Sequence, residues 1–349
     1  MVRLLLHPDT GSALHDRQPT GMPAVTLRAA SSDVDEHCAN LGRWQLVYDQ
    51  ISAGPFRGSF TLLSLSRIEV FREVTSQQVR QCGRLGSDSF SIGLPWRMDG
   101  DVSCNGTSAT PNTIFASFDA DVDLCTPKSF DLRGVIVSAS LIEDLLATIN
   151  VTLPHDVRRS FLSIPASDAV VTRFRHLLGT IQTGIGGQPQ AFPRSDVTRA
   201  IEDALLLEIA DLLQGARPAS IERSAAARKR TVDRACEIML AQTDSPLSIL
   251  DLCKAVGASR RKLNYSFQDV LGCSPISYWR AIRLNRVRRE LKRCDDPALG
   301  VYDIASAHGF WHFSQFSLDY KRHFAELPSE TLRRSRAVAR PPASLTRCA

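Results

Sequence analysis

The sequence predicts an α+β N-terminal domain, an antiparallel sheet with helices, followed by an all-α domain of two helix-turn-helix units joined by a linker helix. Three observations carry that reading. Short alternating apolar runs fill Trp44 to Ser138 and then give way to helical periodicity. A segment near the C-terminus occurs twice, and each copy reads as helix, glycine turn, helix. The charge is also unevenly divided. Residues 1–222 hold 19 basic and 25 acidic side chains, and residues 223–349 hold 23 and 12, so a net of −6 precedes a net of +11. A strongly basic domain behind a mildly acidic one points to a polyanionic partner for the second.

The remaining composition narrows the class. Of 349 residues, 43% are apolar and 23% charged, which are globular values that exclude a disordered or coiled-coil chain. Nine cysteines stand at wide spacings with no Cys-x-x-Cys, which reads as reduced thiols rather than a disulfide framework or zinc site. Leu4-Leu5-Leu6 is too short for a signal-peptide core, and no uncharged apolar run nears the roughly 20 residues of a membrane span. A soluble cytoplasmic protein without a membrane partner is expected.

Residues 1–40 are polar and aperiodic and read as an arm. Strands are expected at Ser59–Ser66, Arg67–Glu73, Ser89–Leu94, Ile114–Phe118, Asp121–Cys125 and Phe130–Ser138, separated by Gly, Pro, Asn and Asp. Ser140-Leu141-Ile142-Glu143 fits a capping box that opens the first helix. Ser167–Thr180 is a second helix. Gly184–Pro193 is a loop, whose Gly184, Gly186 and Gly187 lack the preceding strand and following Gly-Lys-Ser/Thr of a phosphate loop. Asp196–Gln214 is the strongest helix of this half. Its stripe of Ile201, Leu205, Ile209 and Leu212 serves either a partner helix in a homodimer or the domain's own sheet. The domain therefore spans 41–214. Residues 215–230 form an Ala, Arg, Ser and Pro-rich linker that leaves the two domains loosely oriented, 231–336 form the helical domain, and 337–349 a tail.

Leu250–Pro275 and Tyr302–Pro328 are the two copies. Asp251, Leu252 and Gly257 match Asp303, Ile304 and Gly309. After one added residue, Leu263, Phe267, Leu271 and Pro275 match Phe316, Tyr320, Phe324 and Pro328. Gly257 and Gly309 mark sharp reversals where a positive φ is needed. The apolar positions anchor each second helix. Its opposite face offers Ser259, Arg260, Arg261, Lys262, Asn264 and Tyr265 in one copy, and His312, Ser314, Gln315 and Ser317 in the other. Arg can bond guanine O6 and N7 together, and Asn or Gln can bond adenine N6 and N7, so these faces suit the major groove of double-stranded DNA. Ser274–Arg293 joins the units. Pro275 suits its first turn, and its cations, including Arg283 and Arg288, suit phosphates, although some could pair with nearby carboxylates.

Residues of roughly 231–335 resemble the DNA-binding domain of the AraC/XylS family of bacterial transcription regulators. LDLCKAVGASRRKLNYSF, RAIRLNRVRREL and IASAHGFWHFSQFSLDYKRHFAELPSETL carry the resemblance. It implies base contacts by Arg261, Asn264 and Tyr265 and by Ser314, Gln315 and Ser317. Backbone contacts are expected from Ser259, Arg260, Lys262, Arg283, Arg288, His312 and Lys321. Asp319 stands where Arg is frequent in the family, which weakens a phosphate role there. WQLVYDQISAGPFRGSF, IEVFRE and FSIGLP resemble the branch that includes the ethanolamine-utilisation regulator, whose signal is ethanolamine with adenosylcobalamin. The resemblance implies a cupin-like sensor controlled by a small-molecule effector or by dimerisation. It implies an activator rather than a repressor, with RNA polymerase as a further partner.

Trp44, Phe56 and Trp96 could line an effector pocket, although each also suits plain core. No metal is expected: His37 is alone and no His falls between Trp44 and Ser138. Asp119, Asp121 and Asp123 share one strand face, which reads as solvated, with calcium as the alternative. A cupin-like small-molecule enzyme or a protein-interaction regulator with a basic accessory domain is the competing reading. No paired carboxylates or Ser/His/Asp pattern supports the enzyme.

Overall fold

A computed structural model describes residues 25–339 apart from 43, 87, 118–120, 152–160, 187–194, 216–222 and 243–247. In chain order the strands are β1 (Val25–Ser31), β2 (Gln45–Gln50), β3 (Gly58–Ser64), β4 (Ile68–Thr75), β5 (Val79–Arg84), β6 (Ser89–Arg97), β7 (Val102–Cys104), β8 (Thr107–Ala109), β9 (Thr113–Ser117), β10 (Asp121–Thr126), β11 (Phe130–Ser138) and β12 (Phe161–Pro165). The helices are α1 (Val34–Ala39), α2 (Ala139–Thr148), α3 (Asp168–Gly186), α4 (Ser195–Gly215), α5 (Arg223–Ala241), α6 (Ile249–Val256), α7 (Arg260–Leu271), α8 (Pro275–Arg293), α9 (Val301–Ala307), α10 (Phe313–Phe324) and α11 (Pro328–Ala339).

Period-two patterning builds the acidic half. A seven-stranded sheet runs β1-β3-β4-β11-β6-β9-β12, and a five-stranded sheet runs β2-β5-β10-β7-β8. Successive side chains alternate between faces. On β4, Ile68 and Val70 enter the core shared with α2, α3 and α4, while Phe71 enters the core between the sheets. On β11, Val135 and Val137 take the first side and Phe130, Leu132 and Ile136 the second. The larger sheet is thus covered on both faces, by helices and by the second sheet.

Four expectations change. Residues 25–40 are not an arm. β1 pairs along its whole length with β3, and Asp33 caps α1 by accepting from the amides of Asp35 and Glu36. Backbone pairing needs no apolar periodicity, so the pattern did not announce it. The helix expected from Ser140, α2, is capped by Ser138 and not by a box at Ser140: the Ser138 hydroxyl accepts from Leu141 N at 3.3 Å. The α4 stripe faces its own domain. Leu205 and Ile209 are fully buried, Leu212 is buried, and Ile201 packs at the edge of the same core, so this stripe is not open to a partner helix. Finally, Arg223–Arg230 is not linker but the first part of α5. Lys229 there pairs with Asp123 of β10 at 2.9 Å and so ties α5 to the sheet. Of the glycine loop, Gly184 and Gly186 fall within α3; residues 187–194 lie outside the described residues, as do 1–24, Asp119 and the tail beyond 339.

The basic half is helical throughout. α5, α6 and α7 enclose one small core, α9, α10 and α11 another, and α8 contributes to both. Ile51 and Cys125 of the sheet domain enter the first of these cores.

Candidate nucleic-acid interface

Each unit is set by local chemistry. Ser248 caps α6 and Ser259 caps α7, the latter accepting from Lys262 N at 3.2 Å. Between them Gly257 adopts φ +65°, which L side chains resist. In the second unit Gly309 adopts φ +74°, and Asp303 accepts from Gly300 N at 2.8 Å in place of a hydroxyl cap. Leu263, Phe267, Val270 and Leu271 are buried under α7, as are Phe316, Tyr320 and Phe324 under α10. Burying one stripe fixes which residues of each second helix face outward.

On α7, Arg260, Arg261, Lys262 and Asn264 are all exposed, with Ser259 before them, and Tyr265 is 58% exposed. The Arg261 guanidinium lies 5.5 Å from the centre of the Tyr265 ring. On and before α10, His312, Ser314, Gln315 and Lys321 are exposed and Ser317 is half-buried. Gln315 donates to Asp319 of its own helix at 3.0 Å. Asp319 is buried and also lies 3.7 Å from Arg280 of α8, so it braces α10 against the linker helix. At about 1.5 Å per residue, the 19 residues of α8 separate the units by roughly 28 Å, near one turn of duplex.

Two expected backbone contacts are spent inside the protein. Arg288 is 6% exposed. It bonds Asp33 at 2.6 Å and Glu326 at 2.5 Å, and its guanidinium lies 4.5 Å from the Phe324 ring centre. Arg283 is half-buried. It donates to the Gly309 carbonyl at 3.1 Å and lies over the Trp279 and Phe310 rings, and burial lowers its pKa. Arg289 bonds Asp35, Asp49 and the Tyr48 carbonyl, and Lys292 bonds Asp33 at 2.5 Å. Much of the linker helix's charge is therefore answered by the acidic domain rather than left for phosphates.

The domains are joined at further points, so their orientation is not loose. Asn285 Nδ2 donates to the Gln50 carbonyl at 2.8 Å, and Gln50 Nε2 donates to the His323 carbonyl at 2.8 Å. Arg80 of β5 holds Asp123 at 2.7 Å and donates to the Tyr278 hydroxyl. Both units are thus held by the sheet domain.

The three aromatic residues expected at an effector pocket are not brought together. Trp44 lines a cavity of about 50 Å³ between the sheets. Phe56 is buried nearby but does not line it, and Trp96 packs with the α-helical core, 3.8 Å from the Arg133 guanidinium. This domain also holds a buried relay that no local sequence pattern announces. His37 Nδ1 is 3.0 Å from Ser31 Oγ, and His37 Nε2 is 3.0 Å from Glu73. His37 is fully buried, which leaves no approach for a substrate, and the relay ties α1 to β1 and β4.

Comparison with known proteins places the repeat. A family model described as a helix-turn-helix domain matches residues 252–334. A probable thc operon regulatory protein of Rhodococcus erythropolis is 36% identical over 99 residues, 28% of this chain and 30% of that one. The solved structure of a probable AraC family transcriptional regulator from Rhodopseudomonas palustris is 32% identical, over 31% of this chain and 98% of that one, with a TM-score of 0.29. The C-terminal domain belongs to the AraC-type helix-turn-helix family. The HTH-type transcriptional regulator GbdR of Pseudomonas aeruginosa is 32% identical over 104 residues, 30% of this chain and 27% of that one. The likeness to these curated relatives covers under a third of their length.

Proposed function

We propose that the chain is a sequence-specific DNA-binding transcription regulator. One observation carries the reading: in both AraC-type units the apolar stripe of the second helix is buried, and its donor-rich first turn is exposed. Arg261, Asn264 and Tyr265, and Ser314, Gln315 and Ser317, read base edges in two successive major-groove segments. Ser259, Arg260, Lys262, His312 and Lys321 hold phosphates. Arg283 and Arg288 are left out of that set because their guanidiniums are occupied. A footprint on promoter DNA tests the reading. Protection of two patches about one helical turn apart, surviving competitor DNA, is expected, and affinity equal to that for random DNA would sink it.

The acidic domain acts as the sensor, controlling how the two units are presented. A promoter reporter with and without the protein checks the activator sense and the need for RNA polymerase. The inter-sheet cavity is small beside the roughly 300–1,000 Å³ of ordinary ligand pockets, so adenosylcobalamin is not a candidate for it. A homodimer would have to use a face other than the buried α4 stripe. Leu207, 68% exposed on the same helix, is available, and light scattering decides the state.

A further inference from the structure

The repeat matches the two reading helices residue by residue. Leu263 and Phe267 of α7 hold the places that Phe316 and Tyr320 hold in α10, so Tyr265 has its counterpart in Leu318. Each is the sixth residue of its helix. Tyr265 is 58% exposed and Leu318 63%. At about 100° per residue, Leu318 stands almost directly opposite the buried Phe316, Tyr320 and His323. It is the crown of α10. Ser314 and Gln315, one turn before it, and Lys321 and Arg322, one turn after it, are exposed around it.

An apolar crown stands out on a face otherwise built of polar groups. Leu318 takes no part in the core of its own unit, where Phe316, Tyr320 and Phe324 meet Leu284 and Val287 of α8. It has no donor for a phosphate. The polar residues beside it discriminate weakly: serine bonds either kind of base, and Gln315 already gives an N–H to Asp319. The second unit therefore needs a further discriminating group. Base edges in the major groove offer one apolar group, the C5-methyl of thymine. We propose that Leu318 reads a thymine in the second DNA patch by packing on that methyl, a specificity that rests on the regulator reading above.

The two units then read by different chemistry from the same place. At the crown of α7, Tyr265 carries a hydroxyl, and the Arg261 guanidinium lies 5.5 Å from the centre of its ring. At the crown of α10 the leucine offers only apolar surface, and Ser314 replaces the arginine.

Gel-shift titration of the full chain on its footprinted promoter duplex tests this, with each thymine of the second patch replaced in turn by uracil. The exchange removes the C5-methyl and leaves every hydrogen-bonding group in place. One replacement is expected to weaken binding about three- to fivefold, the worth of one buried methyl-sized group. Leu318→Ala should weaken binding to the thymine duplex and bind the thymine and uracil duplexes equally, at an unchanged salt slope. Its melting temperature should not fall, because truncating an exposed side chain leaves no cavity. Leu318→Met, apolar and of similar volume, should keep the thymine preference. A second patch without thymine, a wild type indifferent to every uracil, or a uracil effect that persists in Leu318→Ala would overturn the proposal. So would unchanged DNA binding by Leu318→Ala, the mark of a protein partner on this crown. Promoter preference with indifference to uracil sinks the Leu318 inference alone. Equal affinity for promoter and random DNA sinks the regulator reading and this inference with it.

Discussion

Asp33 and Arg288 are 255 positions apart in the chain and 2.6 Å apart in space, both buried where the acidic domain meets the linker helix. Removing one partner of a buried pair strands the other charge. Arg288→Ala is therefore expected to destabilise the protein by about 3–5 kcal/mol, read by denaturant titration.

The same pair sets an acid limit. Burial would raise the Asp33 pKa, but Arg288 and Lys292 together hold it at about 2, below its ordinary 3.8. A depressed carboxylate contributes stability that is complete above its unfolded pKa and disappears as pH falls through the folded one. About 2 kcal/mol should be lost between roughly pH 4 and pH 2, and Asp33→Asn should flatten that part of the stability profile.

His323 titrates higher in the scale. Burial lowers its pKa from 6.5 to about 4, with Arg288 adding to the shift, while its ring hydrogen bond to the Gln50 carbonyl and nearby Asp319 oppose it. The neutral ring is the folded form, so the stabilisation is whole above about pH 6.5 and is lost as pH falls towards 4. Roughly 3 kcal/mol should go in that window. His323→Gln should remove the slope between pH 6.5 and 4; a persisting slope would assign it to another group.

Reading and anchoring of DNA should separate by residue. Arg261→Ala is expected to cost about 1–3 kcal/mol and relax preference at one base position. Lys262→Ala should weaken all sequences alike and reduce the salt slope by about 1. Arg288→Ala, measured where the protein remains folded, should leave the salt slope unchanged; a reduced slope would restore it to the phosphate set.

Each unit depends on its small core. Phe316 is 1% exposed among Phe310 and Tyr320. Phe316→Ala should cost about 3–5 kcal/mol by melting and abolish protection of the second DNA patch before the first. Ala325 ends α10 at φ +62°, the place that Gly272 takes after α7, so Ala325→Gly should stabilise by about 1 kcal/mol.

The sequence by itself determined the local arrangement. The repeat, its turn glycines and the period of Leu263, Phe267, Phe316 and Tyr320 located both helix-turn-helix units, because helical spacing and a positive-φ turn depend on near neighbours alone. The alternation of β4 and β11 was legible for the same reason. The tertiary structure decided where side chains go when their partners are remote. Nothing in an Arg-rich helix tells which guanidinium meets Asp33 or Asp49 and which meets solvent, since that is settled by contacts 240 to 260 positions away. The same holds for β1, found only by pairing with β3, and for the α4 stripe, whose periodicity is identical whether it buries against a sheet or a partner. That Leu318 stands at the crown of α10 and not in a core could be seen only once Phe316 and Tyr320 had packed beneath it, because burial is a property of the assembled interior.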